Sequence, residues 1–256
     1  MSVRLRADRL QERRQKIVNA AGEELVLQAE QSVQQALAPT KIYVQVEPHA
    51  LTQILIDGRF KTAFELIRND TDELEVRRSA EQIMYGCPPD CPISERPVSG
   101  FLAMDSNLNE APLIRDLNAY GTLSIELKAV VKNNATFTLN DSLTAPTSEQ
   151  RGREVSWQPS ALLAIDIASL VSLRDDTVQI IRQRVAQLAS IKTVADITKF
   201  KELAYRYNNY MEVGIHGGLS TKMIAKIVYR RGFPSAFVEQ WAKANSIEIE
   251  VMNDER

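Results

Sequence analysis

The stretch Tyr120-Gly-Thr-Leu-Ser-Ile-Glu-Leu-Lys128 constrains the fold most. Leu123, Ile125 and Leu127 alternate with Ser124 and Glu126, which gives one apolar and one polar face. Such a strand needs neighbours for its backbone and an apolar layer over one side. Shorter segments of the same kind recur at 41–46, 97–103, 135–139, around Glu212 and at 247–251. Helical spacing fills much of the rest. Residues 4–36 read as one charged amphipathic helix, and 50–55 as a short helix that stops at Asp57-Gly58. The apolar stretches 160–173 and 178–188 read as helices with a buried face, and 221–230 and 234–244 as amphipathic helices. Strands mixed with flanking helices predict an α+β domain. Residues 1–39 are expected to form a helical N-terminal extension, and 40–256 the main body of the domain.

Composition narrows the function classes. The 256 residues are 44% hydrophobic and 25% charged with a net charge of −2, ordinary for a globular protein. That balance argues against a binder that relies on bulk positive charge, so no nucleic-acid partner is expected. No apolar run approaches ~18 residues, so no membrane span is expected either. The start of the chain lacks the apolar core of a secretory signal. Cys87 and Cys91 flank Pro88-Pro89-Asp90, and only His49 and His216 could add nitrogen ligands, so no metal site is expected. The cysteine loop reads as a proline-stiffened surface loop. Gly-x-Gly-x-x-Gly, Walker, His-Glu-x-x-His and Gly-x-Ser-x-Gly patterns are missing from the sequence, which counts against the enzyme classes they mark.

A few residues could carry chemistry. Glu212 stands in a short strand pattern, where glutamate is depleted, and is followed by Gly214, His216, Gly217 and Gly218. A fixed carboxylate there suits a reaction with a developing positive charge. Arg59, between Gly58 and Phe60, offers a planar fork for phosphate oxygens. Arg96 is a second such cation, able to meet a phosphate or Glu95. Thr136, Thr138 and Ser142 cluster hydroxyls around one strand and turn, although most threonines simply suit strands. His216 reads better as a structural histidine than as a ligand.

In order, Asp57-Gly-Arg-Phe-Lys-Thr-Ala-Phe-Glu65, Tyr85-Gly86, Arg96-Pro-Val-Ser-Gly100, Tyr120-Gly121, Thr136-Phe-Thr-Leu-Asn-Asp-Ser142 and Glu212-Val-Gly-Ile-His-Gly217 resemble a mono-ADP-ribosyltransferase. The likeness spans roughly residues 40–230 and is greatest to the CteC-like bacterial effectors, which modify a threonine of host ubiquitin. It implies a split-sheet ADP-ribosyltransferase core, NAD+ as co-substrate without a metal, and ubiquitin as protein partner. It also implies a secreted toxin acting in a host cytosol, reached by a signal-independent route. By motif, Glu212 is the catalytic residue and Arg59 the NAD+ clamp, with Arg96 beside it. Phe64 or Tyr85 would stack on a ring. Thr136 or Thr138 would supply the middle hydroxyl, with Ser99 as the alternative. The position two before Glu212, where such transferases often carry Glu or Gln, is Tyr210. That favours a hydroxyl acceptor over a guanidinium. An NAD+ glycohydrolase would use the same arginine and glutamate, and a non-catalytic interaction protein would use the charged N-terminal helix.

Overall fold

The computed structural model describes residues 2–67, 71–85, 87–103, 120–138, 161–163, 178–193, 196 and 211–252. Among them eight strands form one sheet: β1 (Lys41–Val46), β2 (Val98–Ala103), β3 (Leu123–Leu127), β4 (Ala135–Thr138), β5 (Ala161–Leu163), β6 (Met211–Ile215), β7 (Ile224–Tyr229) and β8 (Glu248–Val251). The order across the sheet is β5-β4-β6-β2-β1-β3-β7-β8. Neighbours are antiparallel except β7 and β8, which are parallel. A parallel pair needs a crossover, and the helix Ala236–Ala244 supplies it. The α+β expectation is met.

The sheet has a narrow seam. β1 pairs with β2 only through Lys41, Ile42 and Tyr43, and with β3 only from Tyr43 to Val46. β2 in turn gives residues 98–100 to β6 alone. The half-sheets β5-β4-β6-β2 and β1-β3-β7-β8 therefore share three register pairs and part beyond them. Gly100 stands where they part. A Cβ there would lie 2.8 Å from the Tyr43 carbonyl oxygen, so only glycine permits this backbone approach.

One face of the sheet is apolar. Ile42, Leu102, Leu123, Ile125, Val213, Ile215 and Ile227 join a single hydrophobic cluster with residues from the helices. The helices are α1 (Ser2–Ala21), α2 (Glu23–Leu37), α3 (Pro48–Asp57), α4 (Ala63–Leu66), α5 (Thr71–Tyr85), α6 (Val178–Ala189) and α7 (Ala236–Ala244). Ile17, Val26, Ala29 and Val33 bring α1 and α2 into that cluster, so the N-terminal helices share the core of the sheet. They are two helices where the sequence predicts one: Gly22, at φ 90°, breaks the run. The Arg14 guanidinium then ties α1 to Glu30 of α2 at 2.6 and 3.1 Å.

Two other expectations fail. The segment predicted as a helix over 221–230 is a single 3-10 turn at Thr221–Met223 followed by β7. Ile224, Ile227 and Val228 fit helical spacing, but their branched side chains pack equally well on a strand beside Ile125 and Leu123. The predicted helix over 160–173 begins instead as β5, paired to β4, and residues 164–173 lie outside the described set. A helix expected over 194–208 also lies almost wholly outside it.

Candidate functional site

Glu212 sits in a row of register-paired residues that crosses the seam. Register pairs run Glu126–Tyr43–Phe101–Glu212–Thr138 over β3, β1, β2, β6 and β4. Residues paired in register share a face, so this row lies on the side opposite Val213 and Ile215. Tyr43 and Phe101 stack with ring centroids 5.6 Å apart. The Tyr43 hydroxyl donates to Glu126 at 3.0 Å, and burial raises its pKa. A rigid aromatic pair therefore flanks Glu212 on the seam side, while Glu212 itself is only partly buried.

Arg59 is placed by the end of α3. Gly58 takes the left-handed conformation at φ 70°, which stops the helix and turns the chain. Residues 58–60 then run beside the loop after β6. Phe60 N–H donates to Leu219 O at 2.8 Å, and Thr221 N–H donates to Gly58 O at 3.0 Å. The Arg59 guanidinium, nearly half exposed, makes a two-pronged pair with Glu65 at 3.0 and 2.6 Å. Glu65 is fixed from the other side by the capping box of α4, accepting from Thr62 N–H at 2.9 Å. The hydrogen bond from Arg59 holds the Glu65 carboxyl below its ordinary pKa.

A chain of neighbours links the two residues. Next to Glu65, Phe64 is buried with its ring centroid 4.2 Å from the Arg96 guanidinium carbon. Arg96 is 1% exposed and pairs with Glu81 of α5 at 2.5 Å. It also donates to the Pro89 carbonyl at 3.2 Å, while its Nε has no hydrogen-bond partner. Burial lifts the Glu81 carboxyl to about 7, Arg96 pulls it back, and the nearby Glu212 charge adds to the rise. Glu81 is thus a second carboxylate near Glu212. Sequence pattern does not single it out, because Thr71–Tyr85 is rich in charges and Glu81 is one of several acidic residues along it.

The remaining candidates divide. Ser99 is exposed and lies across from Gly214, two positions before Phe101 in the same strand. Thr138 pairs in register with Glu212 itself. Thr136 is fully buried: its hydroxyl donates to Gly214 O at 3.3 Å and lies 3.0 Å from His216 Nε2. His216 is equally enclosed, with its N–H bonded to Asn134 O at 2.9 Å. Tyr85 closes α5. Tyr210 and Ser142 lie outside the described residues. Arg59 bonds Glu65, Phe64 beside it packs on Arg96, and Arg96 pairs with Glu81, whose carboxyl feels the Glu212 charge; Ser99 and Thr138 stand on the strands beside Glu212.

No family model matches the chain, and no curated protein matches it. Solved structures of DarT from Thermus sp. 2.9 are similar. The complex with ADP-ribosylated ssDNA is 12% identical, over 84% of this chain and 95% of DarT, with a TM-score of 0.42. The complex with carba-NAD+ is 13% identical, over 84% and 97%, with a TM-score of 0.37. At such scores the likeness by itself assigns no activity. The expectation of ubiquitin as partner with no nucleic acid is corrected: the similar structure holds ADP-ribosylated single-stranded DNA.

Proposed function

We propose that this chain cleaves the nicotinamide–ribose bond of NAD+ and transfers ADP-ribose to an acceptor. The observation that carries the reading is the seat of Glu212. It is a partly buried carboxylate in the row that crosses the seam, and its charge is felt by Glu81, the partner of the Arg96 that packs on Phe64, next in sequence to the Glu65 that holds the Arg59 fork.

The chemistry suits these groups. When the bond breaks, its electron pair leaves with nicotinamide and positive charge develops on the ribose. A carboxylate fixed beside that charge lowers the barrier, and Glu212 takes that role. The leaving group departs neutral, so no acid need protonate it and one reacting carboxylate suffices. The Arg59 fork receives the pyrophosphate, whose oxygens replace the Glu65 carboxylate as bidentate acceptors. Arg96 is already engaged by Glu81 and a prolyl carbonyl, so it supports the Phe64 ring rather than holding phosphate. Thr138, paired in register with Glu212, and Ser99, paired with Gly214, are the candidate hydroxyl residues for the ribose side. The acceptor nucleophile attacks the anomeric carbon and loses its proton. Tyr210, two before Glu212, favours a hydroxyl acceptor over a guanidinium.

Incubation with NAD+ labelled in the adenylate moiety tests the reading. The protein is mixed separately with single-stranded oligonucleotides, with a protein extract and with buffer. Label carried by a macromolecule supports transfer. Free ADP-ribose in all three arms identifies a glycohydrolase. Intact NAD+ throughout refutes the reading.

A further inference from the structure

The chain has two cysteines, Cys87 and Cys91, both buried. Cys87 follows α5, where its N–H donates to Glu81 O at 3.4 Å. Pro88 and Pro89 then stiffen the turn, and Cys91 N–H closes it on Pro88 O at 3.0 Å. Cys87 is 1% exposed and Cys91 6%, both thiols are free, and each lies near enough to shift the other's ionisation. The proline carbonyls at the turn accept from Arg96 Nη2, at 3.5 Å for Pro88 and 3.2 Å for Pro89. The turn that joins the cysteines is therefore also part of the cradle of the buried guanidinium.

We propose that Cys87 and Cys91 are a dithiol–disulfide pair that fastens this turn around Arg96. Two buried thiols four residues apart, at the two ends of a proline-stiffened turn closed by its own backbone bond, are placed to bond with little chain movement. They are not equivalent. Burial pushes the Cys87 thiol up to about 12. Burial also raises Cys91, but there the Arg96 charge and the Cys87 thiol pull it back. Cys91 is the more exposed and the easier to ionise, so it attacks first.

The oxidant is a low-molecular-weight disulfide. The Cys91 thiolate attacks one of its sulfurs, breaks its S–S bond and releases one small thiolate, which takes up a proton. Cys87 then gives up its own proton and attacks the Cys91 sulfur. The Cys87–Cys91 bond forms and the second small thiol leaves. Two protein thiols are oxidised, and one small disulfide is reduced to two thiols. Because both thiols are buried and raised, the reaction quickens as pH rises.

The test uses the full chain with oxidised glutathione, an acid quench, labelling of free thiols in denaturant, and intact mass. The wild type is expected to lose two hydrogens and both labelling sites, and to regain both sites after reduction. Cys87→Ser is expected to trap one glutathione on Cys91. Cys91→Ser is expected to react at least ten-fold more slowly. Two free thiols in the wild type after prolonged exposure overturn the proposal even if the variants fail to fold. Equal or faster capture at Cys87 overturns the assigned order of attack.

Discussion

Replacing Glu81 with glutamine decides whether burial or pairing governs the second carboxylate near Glu212. Its carboxyl rises from 4.5 to about 7, with desolvation as the largest cause and Arg96 opposing it. The folded value lies above the unfolded one, so the protonated group contributes stability that is complete below about pH 4.5. That contribution is lost as pH climbs through about 7. At about 1.4 kcal/mol for each tenfold change in proton affinity, the loss is about 3 kcal/mol. Glutamine keeps an acceptor for the Arg96 guanidinium and cannot ionise. Urea denaturation of both proteins from pH 4.5 to pH 8.5 should therefore show Glu81→Gln gaining about 3 kcal/mol on the wild type. Other titrating groups are common to both and cancel in the difference. A flat difference would refute the reasoning. A difference that moves the other way, with the wild type gaining as pH rises, would show that the 2.5 Å contact with Arg96 outweighs burial.

Three further outcomes follow. Arg59→Ala removes an exposed fork without disturbing the core, so calorimetry should show NAD+ binding weakened by about 10- to 100-fold and thermal stability nearly unchanged. Phe64→Ala deletes a buried ring from between Glu65 and Arg96 and should cost about 3 kcal/mol of stability by urea denaturation, with transfer reduced at the same time. Gly100→Ala would press a methyl group 2.8 Å from the Tyr43 carbonyl. It should destabilise the protein by about 1–3 kcal/mol, and hydrogen exchange should rise first at Lys41–Tyr43, the residues that close the seam.

Sequence pattern captured β1, β3, β6 and β8, because apolar side chains recur at every second residue along them, as the pleat of a strand requires. It misplaced β7, whose apolar positions 224, 227 and 228 satisfy a helix and a strand alike. Only pairing with β3 and β8 resolves the choice. Glu212 was legible because a charged residue in a strand core requires a reason. Arg59 was legible through Gly58, which ends a helix and presents the next side chain. The pairing of Arg96 with Glu81 was not: it joins a loop to a helix across 15 residues, and Glu81 alone looks like an ordinary surface charge. The seam, too, arises from which residues of β1 each neighbour uses, and no single strand sequence encodes that.

The measurement closest to the central claim is nicotinamide release from NAD+ by the wild type and by Glu212→Gln, with NAD+ affinity measured on the same samples. Removing a carboxylate that stabilises only the developing charge should slow release by about 10²- to 10³-fold. NAD+ affinity and thermal stability should stay near wild type. Release at the wild-type rate from a folded Glu212→Gln protein would contradict the account.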